Sequence, residues 1–73
     1  MAIVDVKTEI TGTVWKIEAS VGASLGEDDP ILILESMKME IPVAAPESGT
    51  LVEILVAEGD TVTEGSVVAR IQA

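Results

Sequence analysis

The sequence predicts an all-β domain that folds as a flattened barrel or sandwich with pseudo-two-fold symmetry. No segment has the apolar period of an amphipathic helix. Apolar residues instead alternate with polar ones or form short runs rich in Val and Ile, and Gly, Asp and Ser separate these runs, which is typical of strands and turns. The second half also repeats the first at an offset of 37 residues. Two such units bury their apolar sheet faces only by packing against each other.

Length and composition restrict the function. The 73 residues are enough for one small domain, residues 1–73, and the absence of Cys and His argues against a disulfide, a metal site or conventional catalytic residues. The net charge of −9 disfavours nucleic acid and anionic membranes as partners, although the same acidity would also simply keep an apolar-rich domain soluble. Without a membrane-length apolar run or a signal peptide, we expect a cytoplasmic monomer.

In the first half, period-2 alternation predicts two strands with one face in the core, followed by a loop and a hairpin. Gly12-Thr13 is predicted as a turn, and residues 21–30 as a loop with Gly22, Gly26 and an acidic run. Strands at 31–35 and 40–44 form the hairpin, with Pro42 indicating an edge strand because proline lacks an N–H. The predicted inward residues of the first two strands are Val4, Val6, Thr8, Ile10, Trp15, Ile17, Ala19 and Val21.

The second half repeats this order. Gly12-Thr13 recurs as Gly49-Thr50, and Gly22 recurs as Gly59. The inward phase of Trp15, Ile17 and Ala19 is expected for Val52, Ile54 and Val56, and residues 31–35 correspond to the closing strand, 68–72. The counterpart of the hairpin tip is then the place where the chain ends, so we expect the tip and the termini at opposite ends of the domain.

The hairpin tip departs from ordinary turn chemistry. Tight hairpins favour Asn-Gly, Asp-Gly or Gly at the tip because these residues accept positive φ readily. Here the tip is Met37-Lys38-Met39, preceded by Glu35-Ser36. Such departures are expected at functional sites. A free lysine amine is almost fully protonated at neutral pH, so acylation of Lys38 would require an enzyme that supplies an activated acyl donor.

Simpler interpretations of the same residues exist. Lys38 could be an ordinary solvated turn lysine, but this explains neither the two methionines nor the missing turn residues. Met37 and Met39 could fill the core, and strand alternation would place both on one face with one of them partly buried. Alternatively, these flexible, polarizable side chains could adapt to more than one partner.

The segment Glu35-Ser36-Met37-Lys38-Met39 resembles the biotin-attachment signature, Glu-Ala/Ser-Met-Lys-Met, of biotin carboxyl carrier domains. The chain is most similar to small free-standing biotin/lipoyl attachment proteins. The resemblance extends through turn residues of the second half and weakens in the first, where Ala23 replaces a usual Asp and Asp28 a usual Gly. It implies eight short strands in two four-stranded antiparallel sheets, with the modified lysine on a protruding turn. Turn residues in the second half that match the family are Pro46, Gly49, Glu58, Gly59, Asp60 and Gly65.

The resemblance implies a carrier and not an enzyme. Lys38 would be the covalent biotinyl-lysine, with Glu35, Ser36, Met37 and Met39 completing the cofactor-binding site. A biotin protein ligase would attach biotin, and the domain would then serve a biotin carboxylase and a carboxyltransferase. The flanking methionines favour biotin over lipoate. A lipoyl carrier, a dual biotin/lipoyl acceptor and an unmodified sandwich-fold binding module stay open. The ends of the chain suit an independent protein, although a terminal domain of a larger carboxylase would look the same.

Overall fold

A computed structural model describes residues 2–73, in which the chain forms eight β-strands and no helix. The first residue of the predicted domain, Met1, lies outside the described residues. The all-β class predicted from the sequence is confirmed. The strands are β1 (Ile3–Lys7), β2 (Gly12–Ile17), β3 (Ser24–Leu25), β4 (Pro30–Ser36), β5 (Met39–Ala44), β6 (Gly49–Ile54), β7 (Thr61–Val62) and β8 (Val67–Gln72).

The strands form two four-stranded antiparallel sheets related by a pseudo-two-fold axis. We call them sheet A, with the order β1-β8-β6-β3, and sheet B, with the order β5-β4-β2-β7. An offset of 37 residues carries each strand of one sheet onto the strand at the same place in the other. Hydrogen bonds that connect the two halves obey the same rule. The Gly22 N–H donates to the Leu51 carbonyl at 2.7 Å, and the Gly59 N–H donates to the Val14 carbonyl at 2.8 Å. The predicted repeat is therefore real.

The core between the sheets is almost wholly aliphatic. Its polar exception, Thr8, is buried, and its hydroxyl donates to the Ile10 carbonyl at 2.8 Å and accepts from the Ile10 N–H at 3.2 Å. Burial of these aliphatic side chains is the main force that holds two small sheets together. The largest fully buried side chains are Ile31, Leu32, Leu34, Leu51, Ile71, Val6, Val14 and Val68.

A β-bulge in β2 reverses the predicted inward phase. Val14 pairs with Leu34, but the next pair is Lys16 with Ile33, so Trp15 is an extra residue on β2. Trp15 is 47% exposed, whereas Val14 is 1% exposed. The prediction that Trp15 lies in the core is therefore wrong. The two residues of a bulge, here Trp15 and Lys16, face the same side of the sheet. Ile17, which follows them, therefore returns to the core side.

The equivalent bulge in β6 changes the second half in the same way. Leu51 pairs with Ile71 and Glu53 pairs with Arg70, which leaves Val52 as the extra residue. Leu51 is buried and Val52 is exposed, so the inward phase predicted for Val52 is also wrong. The bulges explain why simple alternation fails at equivalent places in both halves.

Three further expectations for the first half are corrected. Gly12 and Thr13 begin β2 and do not form a turn. Val21 is 60% exposed because it lies in the turn at Gly22, beyond the end of β2. The predicted loop, residues 21–30, contains the short strand β3, which pairs with β6 and places Leu25 in the core.

The two departures from the family pattern leave the backbone intact. Asp28 has a φ of 72° where the equivalent Gly65 has a φ of 87°. Asp accepts this left-handed conformation more readily than most residues. At the other departure, the Ala23 N–H still donates to the Ser20 carbonyl at 3.0 Å, as the equivalent Asp60 N–H does to Ala57.

Candidate functional site

The β4–β5 hairpin ends in a two-residue turn made of Met37 and Lys38. Ser36 and Met39 form the last pair of the ladder, so only these two residues lie between the strands. Their φ angles are 50° and 66°, and positive φ at both central residues is the requirement of a type I′ turn. A non-glycine residue in this left-handed conformation destabilises the folded state by of order 1 kcal/mol. The turn therefore carries strain that Asn-Gly would avoid.

The side chains of this turn project into solvent. Met37 is 93% exposed and Met39 is 62% exposed, and Lys38 is exposed between them. The expectation that one methionine is partly buried on a strand face is wrong, because Met37 belongs to the turn and strand alternation does not apply to it. An apolar side chain so fully exposed gains no stability from its position, so the methionines do not fill the core.

Two carboxylates lie directly opposite each other just below the turn. Glu35 of β4 pairs with Glu40 of β5, and both residues are exposed. Within residues 2–73 neither carboxylate has an ion-pair partner. Like charges at directly opposed positions destabilise a sheet. Ser36, between Glu35 and the turn, is half-buried. The two carboxylates thus place negative charge on one face of the hairpin, just below the turn that carries Lys38.

Gly12 supports the hairpin from the neighbouring strand and was not singled out as a site residue from the sequence. A Cβ at Gly12 would lie 2.8 Å from the Glu35 carbonyl oxygen. Only glycine allows the backbones of β2 and β4 to approach this closely. The available signal was the repeat, since Gly49 has the same relation to the Gln72 carbonyl oxygen at 2.5 Å.

The other lysines have different surroundings. Lys7 is the last residue of β1, and Lys16 is in β2 opposite Ile33, as the sequence predicted for residues on strands. The amine of Lys16 also lies 3.9 Å from the Glu18 carboxylate. Lys38 alone among the three stands on a turn flanked by exposed methionines.

The hairpin tip lies far from the chain ends. β5 runs away from the tip for six residues to Ala44, and the following strand, β6, begins at Gly49 against the carbonyl of Gln72. Gln72 pairs with Ile3, so both ends of the described chain meet there. The expected placement of the lysine opposite the termini is confirmed.

A surface groove of about 420 Å³ lies elsewhere on the molecule. It runs between the edge strands β1 and β5, and its lining includes residues 5–10 and 41–46 but not Lys38. Residues 2–73 contain no cluster of three or more potential metal ligands. They also contain no helix with the length and hydropathy needed to cross a membrane. The hairpin is thus the feature whose side chains require a functional explanation.

Comparison with known proteins agrees with this geometry. The family model described as "Biotin-requiring enzyme" matches residues 1–71. The chain is 39% identical over 66 residues to a biotin/lipoyl attachment protein of Bacillus subtilis, covering 90% of each chain. It is 40% identical over 67 residues to a homologue of the biotinylated protein TB7.3 from Mycobacterium leprae, covering 92% of this chain and 94% of the other.

The fold also matches part of a much larger solved structure. The crystal structure of Kluyveromyces lactis urea carboxylase superimposes with a TM-score of 0.94 and 38% sequence identity. The match covers 99% of this chain and 6% of that one. A domain of this architecture therefore occurs both in small proteins and as a minor part of a long chain.

Proposed function

The chain belongs to the biotin/lipoyl attachment family, and from this membership we propose that Lys38 carries a covalently attached biotin. A member of this family is a carrier domain and not an enzyme. The observation that carries the proposal is the turn itself. Met37 and Lys38 occupy two strained, positive-φ positions that favour other residues, and they do so fully in solvent. Strain retained at an exposed turn is a feature of functional sites.

The attachment step is an acyl transfer to Nζ of Lys38. The deprotonated amine attacks the carbonyl carbon of an activated acyl donor, a C–N bond forms, the bond to the activating group breaks, and the amine proton leaves to solvent or a base on the enzyme. We propose that a biotin protein ligase supplies this donor from biotin and ATP. The turn contributes by holding the amine beyond the surface of both sheets, where an active site can surround it.

The four residues around Lys38 form two pairs with different roles in this proposal. Glu35 and Ser36 end β4 and set the direction in which the turn leaves the sheet. Met37 and Met39 present exposed thioether side chains on either side of the amine, and their flexibility lets the same tip fit different active sites. Lys38 is the acyl acceptor in the attachment step, and no residue of the chain is assigned a catalytic role.

The modified domain would act as a carboxyl carrier. When attached to Lys38, biotin would supply a nitrogen able to accept a carboxyl group at one active site and to donate it at another. The domain confines this group near a biotin carboxylase and a carboxyltransferase, which raises its effective concentration at each site. We propose that the chain serves a carboxylase system of this kind.

Lipoate is the second candidate for the attached group. The similar Bacillus subtilis protein is called a biotin/lipoyl attachment protein, so acceptance of both groups by this chain is a specific alternative. The methionines on both sides of Lys38 favour biotin.

Measurement of intact mass tests the proposal. The wild-type chain and Lys38→Arg are incubated with a biotin ligase, ATP and biotin, and in parallel with a lipoyl ligase, ATP and lipoate. We expect one biotin on the wild type and none on Lys38→Arg, because a guanidinium stays protonated and is a very weak nucleophile. Lys7 and Lys16 remain in the variant and serve as internal controls.

Other outcomes have defined meanings. Lipoate but not biotin on Lys38 would replace the biotin proposal with the lipoyl one. Modification that persists in Lys38→Arg would refute Lys38 as the site. No modification by either ligase would favour an unmodified binding module of the same fold.

A further inference from the structure

The outer faces of the two sheets differ sharply at equivalent positions. On sheet A, Arg70 in β8 donates from Nε to Asp5 of β1 at 3.0 Å and from Nη1 to Glu53 of β6 at 2.7 Å. The hydrogen bonds to Glu53 and Asp5 raise the pKa of Arg70 above its ordinary value. These ion pairs therefore connect three adjacent strands of sheet A, and each charged group in them has its partner within the domain.

Sheet B has no such network at the corresponding positions. The residues 37 positions from Arg70, Asp5 and Glu53 are Ile33, Pro42 and Lys16, and they lie side by side on β4, β5 and β2. An isoleucine replaces the central cation, a proline replaces one anion, and a lysine replaces the other. At these positions sheet B has two adjacent apolar residues and one lysine, whose amine lies 3.9 Å from the Glu18 carboxylate, where sheet A has a network of ion pairs.

The bulge residues increase the difference. Trp15 on β2 and Val52 on β6 are equivalent, and their side chains are 47% and 36% exposed. Trp15 is the single aromatic residue of the chain, and it is exposed on β2 between Val14, which pairs with Leu34, and Lys16, which pairs with Ile33. Half-exposed tryptophan is enriched among residues that dominate binding energy in protein interfaces.

The apolar residues of this surface lie near Lys38, which is carried by the same sheet. Ile33 is four residues before the turn, which corresponds to about 13 Å at the rise of a β-strand. Glu35 and Glu40 lie between Ile33 and the turn on the same outer face, because side chains two residues apart share a face. We call the surface formed by Trp15, Ile33, Pro42, Glu35 and Glu40 the hairpin-side face.

Charge indicates what covers this face. A second copy of the chain would bring two pairs of Glu35 and Glu40 together in a molecule that already carries a net charge of −9. A partner with an apolar patch flanked by Lys or Arg would instead neutralise the like-charged pair. Addition of a partner strand along β5 is hindered because Pro42 has no N–H to donate, so contact through the face is favoured over contact through the edge.

We propose that the hairpin-side face is the docking surface for the ligase that acylates Lys38. This inference rests on the proposed function, since it identifies the surface by which the enzyme selects that lysine. The ligase contacts Trp15 with an apolar patch and Glu35 and Glu40 with basic side chains, while the turn enters its active site. The equivalent face of sheet A, with its internal ion pairs, is not used.

Steady-state kinetics of biotin ligase with Trp15→Ala and Val52→Ala test this proposal. The two substitutions remove exposed side chains at equivalent positions on opposite faces, so Val52→Ala is a matched control. We expect the KM for Trp15→Ala to rise roughly tenfold or more, as for an interface tryptophan, with kcat retained. We expect the KM for Val52→Ala to stay within about twofold of wild type. Thermal unfolding of each variant verifies that the substrate is folded.

A second measurement uses the unsubstituted chain. Because the sequence has one tryptophan, 5-fluorotryptophan introduces a single ¹⁹F reporter at position 15. Titration with unlabelled ligase should shift or broaden this resonance, and NaCl should weaken the effect because charge pairs contribute to docking.

Separate results would overturn the inference and the function. Equal KM values for Trp15→Ala and Val52→Ala, or a ¹⁹F resonance unchanged by saturating ligase, would refute the docking surface while leaving Lys38 as the attachment site. Failure of the wild-type chain to accept biotin would refute the proposed function, and the docking proposal with it.

Discussion

Asp28 and Gly65 occupy equivalent positions in the two halves of the chain, and both have a left-handed backbone. The Asp28 N–H donates to the Ala45 carbonyl at 2.9 Å, and the Gly65 N–H donates to the Thr8 carbonyl at 2.8 Å. The same turn is therefore built once with Asp, which tolerates positive φ, and once with Gly, which adopts it without steric cost.

Substitution of Gly65 tests the cost of this backbone conformation. A Cβ at Gly65 meets nothing within 4 Å, so a side chain there has space and only the φ of 87° is unfavourable. We expect Gly65→Ala to lower the free energy of unfolding by about 1–2 kcal/mol. Gly65→Asp should cost less, because Asp already occupies the equivalent turn. Urea unfolding of the two variants would contradict this if Gly65→Asp were the more damaging.

Gly12 is expected to link stability to modification of Lys38. Alanine at Gly12 would push against the Glu35 carbonyl, and the hairpin must shift to relieve the contact. We expect a loss of about 1–3 kcal/mol in unfolding free energy, as for other overpacked sites, together with slower acylation of the folded variant. Gly49→Ala creates the equivalent clash with Gln72 at the opposite end, so it should destabilise the domain without slowing acylation. A slowed Gly49→Ala would show that general destabilisation explains both results.

The exposure of Trp15 changes the stability expected of its removal. Truncation of a buried tryptophan would cost about 3 kcal/mol or more, but Trp15 is 47% exposed and therefore buries less apolar surface. We expect Trp15→Ala to cost about 1 kcal/mol and Leu51→Ala, in the fully buried core, to cost about 2–5 kcal/mol. Chemical denaturation would disprove this assignment if the two substitutions were equally damaging.

Relief of strain in the lysine turn should stabilise the domain. Asn accepts positive φ more readily than Met, and Met37 loses almost no packing because it is 93% exposed. We expect Met37→Asn to raise the free energy of unfolding by about 0.5–1 kcal/mol while Lys38 remains available. Met37→Val is the opposite control, because a β-branched residue is disfavoured at positive φ. A stabilising Met37→Val would mean that the turn is not strained.

Strand alternation predicted much of the fold because period 2 is a property of extended backbone. It placed Val6 and Thr8 inward, and both are buried. The missing N–H of Pro42 predicted an edge strand, and the repeat predicted that the lysine turn lies opposite the termini; both predictions are confirmed. Alternation failed at Trp15 and Val52, where a bulge inserts one residue and reverses the phase. A bulge depends on the partner strand, so a single-strand pattern does not reveal it.

The candidate site was only partly accessible to the same reasoning. The missing turn residues indicated that Met37 and Lys38 are unusual, but the positive φ of both follows from the two-residue connection, which depends on the register of β4 and β5. The support from Gly12 was also hidden, since a close approach between strands is a relation between residues distant in sequence. The repeat was the most informative feature of the sequence, because the strands of one half predict the equivalent strands of the other.

The meeting of the chain ends opposite Lys38 sets how such a domain behaves when it is tethered. The Ala73 N–H donates to the Ala2 carbonyl at 2.9 Å, so a linker attached at either end would leave the domain at the same place. The longest dimension of the domain is 36 Å. In a long polypeptide the domain would act as a stiff extension of a flexible linker, and it would add nearly this whole length to the distance that Lys38 can reach. The lysine would thus travel on the far end of a rod, and a neighbour on either side would leave its approach unobstructed.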